Sequence, residues 1–483
     1  MKFIALCTFF IVILCSGCSG FKDSYTSFMG GEDNTEPPTP LVDVDQKITI
    51  SELWKKDVGD GYDKQYLKLI PVYANEKIFV AENSGEILAI DRITGKQVWS
   101  QNTKTRITGG PGAGHNLVTV GTGKAEVITL AADSGEILWT ARVTSEVLAA
   151  PQIAGNIILA RTIDGKIFGL NAEDGKRLWV YERSVPALTL RGSSAPVVSG
   201  DYIIAGFDDG RLAAIELQTG KPVWETRIAL GSGRSELERM VDINAEPVIM
   251  DDVIYAASFQ GRVAALNLRS GRILWTREVS SYAGLCVDSN AVYITDDDSA
   301  VWALDRKTGV SIWKQENLLA RAVTAPATIG QMVVVGDLEG YLHWMDKSTG
   351  EFIARNKISS KKIIAPPISV DNVLYSYASD GTLAAYVTDQ VSGIAVKPPV
   401  KETEPETADT DPAAEQTEVS RAMETMEKSE LQNGDPNPIA EQDDAAEQTE
   451  TVEGNEVEKE EKGFFGRLMD RVIPGKHENS NPP

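Results

Sequence analysis

The sequence predicts an all-β protein: an eight-bladed β-propeller of tryptophan-docking repeats, followed by a disordered acidic C-terminal tail. Three observations predict it. First, one motif recurs between residues 46 and 390: Gly, alternating apolar residues, an acid or Asn, a Thr/Ser/Asp-Gly turn, then an apolar residue before Trp. Second, Trp54, Trp99, Trp139, Trp179, Trp224, Trp275 and Trp313 follow one another at steps of 45, 40, 40, 45, 51 and 38 residues, room for four short strands each. Third, the eighth copy, GTLAAYVTD (381–389), stops halfway, and the missing half stands at the other end of the body as SELW, ending at Trp54. A repeat split between the two ends closes a ring.

Each part of the repeat has a physical reason. Apolar and polar residues alternate with the period of a strand, as in GKIFGLNAEDGKRLW (165–179). The turn glycines supply the positive φ of tight hairpins. One four-stranded sheet leaves two faces and two edges open, whereas eight in a ring bury the faces between neighbours. The Trp offers a large rigid surface there, with an indole N–H that needs an acceptor. Small residues in the third strand (Ala89, Gly169, Ala213, Ala264, Ala303, Ala384) are expected to let strands approach near the crowded centre.

Ahead of the body, residues 1–17 read as a signal peptide. Lys2 supplies the charge, Phe3 to Leu14 the apolar run, and Ser16-Gly17 the small pair before Cys18. That run is too short to span a bilayer, which takes about 20 residues. The pattern resembles a bacterial lipobox and makes Cys18 the expected lipidated N-terminus, although Cys15 and Leu14 sit imperfectly for it. The competing reading is an ordinary signal with an incidental cysteine. Ser19 favours the outer membrane, by similarity to enterobacterial lipoproteins. Residues 18–45, with GGEDNTEPPTP, read as a lipidated tether.

Composition excludes several functions. Of four cysteines, Cys7, Cys15 and Cys18 belong to the signal region, which leaves Cys286 as a lone buried strand residue. Three scattered histidines, His115, His343 and His477, assemble neither a metal site nor a catalytic triad. The run Asp296-Asp297-Asp298 reads as a solvated hairpin turn, not a cation site. No cofactor is expected. The formal charge is −23, and residues 401–462 alone hold 21 Asp and Glu against 5 Lys and Arg, so the acidity is mainly the tail's. A basic stripe for nucleic acid is missing.

Function is sought where the repeat is irregular. VYERSVPALTLRGSSAP (180–196) follows Trp179, and ETRIALGSGRSELERMVDINAEP (225–247) follows Trp224 in the longest repeat. Both connect adjacent blades and emerge on one face. The first carries Leu188, Leu190 and Arg191, and the second Arg234, Glu236, Glu238, Arg239 and Asp242. An apolar pair beside mixed charge suits a protein interface. Leu188 and Leu190 also fit the inward face of a strand.

At these residues the chain resembles the BamB family, propeller lipoproteins of the bacterial outer-membrane β-barrel assembly (BAM) machine. The resemblance spans roughly 20–390 and is strongest at PALTLRGSSAP (186–196), RSELERMVDINAEP (234–247) and GDLEGYLHWMD (336–346). It implies a non-catalytic scaffold that binds the periplasmic POTRA domains of BamA, the barrel-forming subunit. It also implies lipid anchoring on the periplasmic side of the outer membrane, with nascent outer-membrane proteins as a further candidate partner. The family's Leu-x-Leu-Arg segment matches Leu188, Leu190 and Arg191. Its Asp-x-Asp segment matches Asp242, with Asn244 in place of the second acid. Repeats of this PQQ type also occur in periplasmic pyrroloquinoline-quinone dehydrogenases, but the vicinal cysteine pair that such a site resembles is missing. A ligand-binding propeller is the third possibility.

After the propeller, residues 391–462 read as a disordered acidic linker with AAEQTE twice. In 463–474 Phe464, Phe465, Leu468, Met469, Val472 and Ile473 share one helical face, which predicts a short amphipathic helix ended by Pro474. Residues 475–483 read as a disordered end.

Overall fold

A computed structural model describes residues 36–59, 61, 67–191 and 194–390. Cys18 and the expected C-terminal helix lie outside them. Among the described residues, thirty-two strands, β1 to β32 in chain order, make eight four-stranded antiparallel sheets. Blades 1 to 7 take consecutive strands from β2 onward. Blade 8 joins β30 (Ile368–Val370), β31 (Val373–Tyr377) and β32 (Thr382–Thr388) to β1 (Ile50–Asp57). Ile50 pairs with Thr388 and Asp57 with Thr382, so the N-terminal strand completes the last blade as the split repeat predicts.

The sequence motif is the docking rule between blades. The indole N–H of each of the seven motif tryptophans donates to a carbonyl of the next blade, as in Trp54 to Arg92 at 3.0 Å, Trp139 to Ala172 at 2.8 Å, Trp179 to Leu217 at 3.0 Å and Trp313 to Lys347 at 2.8 Å. The ring covers the turn glycine of that blade. A Cβ on Gly175 would meet Trp139 at 2.6 Å, and Gly175 also has φ +71°, so no other residue serves there. Trp and Thr/Ser/Asp-Gly are therefore the two halves of one contact.

Three of the small third-strand residues have a different reason from the expected one. They stand opposite the tryptophan of their own blade: Ala89 opposite Trp99, Gly169 opposite Trp179, Ala303 opposite Trp313. Ala213, Ala264 and Ala384 stand one place off, and their neighbours Ala214, Ala265 and Ala385 are the residues opposite Trp224, Trp275 and Trp54. A Cβ on Gly169 would lie 2.3 Å from the indole. Blade 7 swaps the pair. Its fourth strand β29 (Phe352–Lys357) presents Ala354, and the Trp is Trp344 on β28 (Tyr341–Asp346). The volume is conserved while the side chain changes strand.

The end of the expected tether, together with the start of the expected body, is docked. The Thr39 N–H donates to Leu319 O at 3.0 Å and Lys47 N–H to Ile353 O at 2.7 Å. Arg321 and Arg355 hold the carbonyls of Thr39 and Val42 at 3.0 and 2.7 Å, Leu41 packs on the core between blades 6 and 7, and Ile48 is buried. Residues 39–48 thus form a strap on blade 7. The Asp296–Asp298 turn is also more built than expected. Asp296 accepts the N–H of Ala300 at 2.7 Å and of the Trp302 indole at 2.8 Å, and burial pushes Asp297 up to about 7. Cys286 lies on β22 (Gly284–Val287), half-buried where the sequence suggests full burial, and the burial of its thiol pushes it up to about 12.

Because strands alternate in direction, second-to-third-strand turns and blade-to-blade connections share one end of the ring. The irregular connections lie at that end.

Candidate partner-binding face

Three successive connections build this face. The first leads from β9 (Ile137–Arg142) to β10 (Gln152–Ala154). The second leads from β13 (Arg177–Glu182) to β14 (Val197–Ser199). The third leads from β17 (Pro222–Arg227) to β18 (Val248–Met250). A charged residue stands five places before the proline that enters the next blade in each: Glu146 before Pro151, Arg191 before Pro196, Asp242 before Pro247. These three link the connections. The Arg191 guanidinium is ion-paired with Glu146. The Asp242 carboxylate accepts the N–H of Leu190.

The structure gives each expected residue a distinct place. Leu188 and Leu190 are half-buried, and Arg191 is exposed. Arg191 has φ +53°, uncommon for a residue with a side chain, and its N–H is held by the Thr189 hydroxyl at 3.1 Å. The segment is therefore a fixed turn that displays two leucines and one guanidinium. Asp242 is fully buried and offers no surface to a partner. Its Oδ1 has no hydrogen bond among the described residues. Burial, incompletely offset by the Leu190 N–H and reinforced by nearby Asp208, pushes its carboxyl up to about 7. Asn244, in place of the second acid, is half-buried, and its Oδ1 is likewise without a hydrogen bond among the described residues.

Arg239 serves its own loop. Its guanidinium donates to the carbonyls of Arg234 at 3.3 Å and Gly233 at 3.5 Å, and pairs with Glu236. Ser235 and Glu238 cap this turn reciprocally, Glu238 N–H to Ser235 Oγ and Ser235 N–H to Glu238 Oε2, both at 3.2 Å. So 232–239 is a preorganised projection. At its base stands Leu230, 70% exposed, more than any other large apolar side chain among the described residues. Sequence reading missed Leu230, because a single leucine in a polar loop carries no period. It also missed Glu146, which the spacing to proline marks.

Chemically this arrangement suits the docking of a protein. It has half-buried and exposed leucines, a rim of paired charge, and rigid backbone beneath.

The family model described as "Outer membrane protein assembly factor BamB" matches residues 44–109 and 83–315. The outer membrane protein assembly factor BamB of Pseudomonas aeruginosa is 44% identical over 350 residues, 72% of this chain and 92% of that protein. The crystal structure of BamB from Moraxella catarrhalis superposes with a TM-score of 0.65 at 28% identity, covering 70% of this chain and all of that one. The quinohemoprotein alcohol dehydrogenase of Comamonas testosteroni aligns with 80% of this chain and 85% of its own, at 14% identity and a TM-score of 0.56, and so shares the fold alone. With a relative this similar along nine-tenths of its length and a model matched across the blades that carry the face, the chain belongs to the BamB family of outer membrane protein assembly factors.

Proposed function

We propose that this chain is a non-catalytic propeller subunit of the BAM machine. It binds the periplasmic POTRA domains of BamA through the connections of blades 2 to 5. A lipid on Cys18 holds it to the periplasmic side of the outer membrane, and the propeller positions the POTRA domains for strand handover to a growing barrel. Family membership supports the setting. One observation supports the place: Leu188 and Leu190 are displayed on a turn that neighbouring blades clamp from both sides, through Glu146 and Asp242. Leu188, Leu190 and Leu230 serve as apolar anchors and Arg191 as a rim charge, while Asp242 and Arg239 act through the loops they brace.

The test is co-purification of BamA with the full chain and with Leu188→Ala/Leu190→Ala/Arg191→Ala. The expected result is loss of BamA from a variant whose circular dichroism is unchanged. Full retention would move the interface elsewhere. Cys18→Ser, followed by membrane fractionation, tests the anchor: the variant should leave the outer-membrane fraction.

A further inference from the structure

Arg161 ends β11 (Ile157–Arg161), where it pairs with Ile167 on β12 (Lys166–Asn171). The same register position in the other blades holds Ala81, Gly121, Gly206, Ala257, Thr295, Gly336 and Tyr377. None of these is charged. At three of them there is no room for a side chain. A Cβ on Gly121 would meet Val147 at 2.3 Å, on Gly206 Ile243 at 2.3 Å, and on Gly336 Ile363 at 2.6 Å. Val147, Ile243 and Ile363 each stand four places before the proline of the next blade, where the connection after Arg161 has Gly192 before Pro196. In blade 3 the strand position itself holds a large side chain, and that side chain carries a charge.

Packing alone does not call for that charge. A buried guanidinium loses its hydration and must be paired, whereas an aliphatic side chain would fill the space without that penalty. What arginine adds is a rigid fork of donors. Arg161 is 6% exposed. Its Nη1 donates to Ser194 O at 3.0 Å, and its Nη2 reaches Asp208 Oδ1 at 3.3 Å. The Ser194 hydroxyl donates onward to Ala245 O at 3.2 Å. The guanidinium also lies over the Phe207 ring, 5.5 Å from its centre. One side chain from inside blade 3 thus ties the end of the Leu188–Arg191 connection to blade 4, and through Ser194 to the connection that carries Asp242. Its positive charge is also felt by Asp242.

We propose that Arg161 is a positioning residue of the docking face, setting from beneath where Leu188, Leu190 and Arg191 stand without meeting the partner. This rests on the reading of that face as the POTRA-binding surface. The test uses the full chain with Arg161→Lys, Arg161→Met and Arg161→Met/Asp208→Asn, the last removing both charges so that neither is left buried alone. Three quantities are measured: affinity for purified POTRA domains of BamA, melting temperature, and hydrogen exchange at the Leu190 amide. Arg161→Met and the double variant should bind at least tenfold more weakly. Their Leu190 amide should exchange faster, while the amides of β15 (Tyr202–Gly206) keep their protection. Arg161→Lys, with one point charge in place of the fork, should retain part of the affinity. Binding within twofold of the wild type in the double variant, while the Leu188/Leu190/Arg191 variant does not bind, would overturn the role of Arg161. So would a loss of binding that only tracks the melting temperature. If the Leu188/Leu190/Arg191 variant also binds normally, the docking reading itself fails.

Discussion

Blade 7 and the connection entering blade 5 each bury an aspartate within reach of an arginine, and the two carboxyls end in opposite states. Asp337 in blade 7 takes Arg321 Nε at 2.9 Å and His343 Nε2 at 3.0 Å on one oxygen. Its other oxygen takes the N–H groups of Glu339 and Tyr341 at 3.0 and 2.9 Å. Burial opposes ionisation there, but the His343 contact, the backbone donors and Arg321 outweigh it, and the carboxyl is held below its ordinary value. Asp242 has one donor, Leu190, and one oxygen without a hydrogen bond among the described residues, so burial wins and pushes it up to about 7. The first is a rivet. Arg321 passes through it to the Thr39 carbonyl, and Arg355 Nε donates to His343 Nδ1 at 3.0 Å while its Nη1 donates to Val42 O, which fastens the N-terminal strap. The second is a latch, under-satisfied and placed below the face that a partner would cover. Satisfied polar groups hold a fold, whereas an unsatisfied one is tolerated where function needs a particular loop.

That contrast predicts its largest effect in blade 7. Asp337→Ala leaves Arg321 and His343 buried without their shared acceptor, and stability should fall by about 3–5 kcal/mol. Urea unfolding of the full chain measures it. The pH dependence has a definite sign. A carboxyl lowered in the folded state stabilises above its unfolded value, 3.8, and this contribution is lost as pH falls through the lower folded value. A loss of under about 1 kcal/mol would erase the distinction between rivet and latch.

The next effect is Asp242→Asn. The amide oxygen still accepts the Leu190 N–H, so the turn should stay in place, and POTRA binding should stay within about threefold of wild type. Stability should respond in the opposite direction to that of blade 7. The folded carboxyl is raised from 3.8 to about 7. Its contribution is fully present below 3.8 and is lost as pH rises toward 7, because the unfolded chain ionises freely while the folded one resists. Relative to Asp242→Asn, the wild type should therefore weaken over that window at up to about 1.4 kcal/mol per pH unit. Asp242→Ala, which removes the acceptor, should release the turn and weaken binding. Equal behaviour of Asn and Ala in the binding assay would mean that the Leu190 contact positions nothing.

How much of this was legible in the sequence divides along the same line. The ring was legible because its contacts are periodic: Trp179 meets Gly220 of the next blade's turn for the same reason that Trp139 meets Gly175, so spacing alone reveals the rule. The Trp344/Ala354 swap hid blade 7 only partly, since its turn glycine, Gly350, still faces Trp313. The docking turn was legible as an irregularity at 186–191. The way it is held was not. Asp242 reads as a surface acid in a charged loop, and only the chain path shows that it is buried. Arg161 reads as an ordinary strand residue until eight registers are compared. The strap was hidden as well, because Thr39, Leu41 and Val42 have no repeat to announce them, and their partners, Leu319, Arg321 and Arg355, are about 300 residues away in the sequence.

Smaller effects sharpen the comparison on the face itself. Leu230→Ser should leave the melting temperature unchanged, since a side chain 70% exposed has little burial to lose. It should weaken POTRA binding by about tenfold if Leu230 enters a partner pocket as an anchor does. A shift in melting temperature without a loss of affinity would make Leu230 part of the fold after all.

The smallest effect belongs to Arg239, whose expected and observed roles also differ. As a partner-binding cation it would be a rim charge with a free head, and its loss would slow association in a salt-dependent way. Its guanidinium is instead turned back onto Gly233, Arg234 and Glu236. Both members of that ion pair are largely exposed, so Arg239→Ala should change stability by less than about 0.5 kcal/mol. Its influence on binding should come through the projection it braces. The affinity should fall by about threefold at most, and the loss should be the same at low and high salt, because no charge is withdrawn from the partner. Arg234, which stands on the same projection with an exposed side chain, supplies the control. Arg234→Ala should produce the salt-dependent loss that Arg239→Ala does not. If the two variants exchange these signatures, Arg239 is the residue that reaches the partner, and the loop must open to release it.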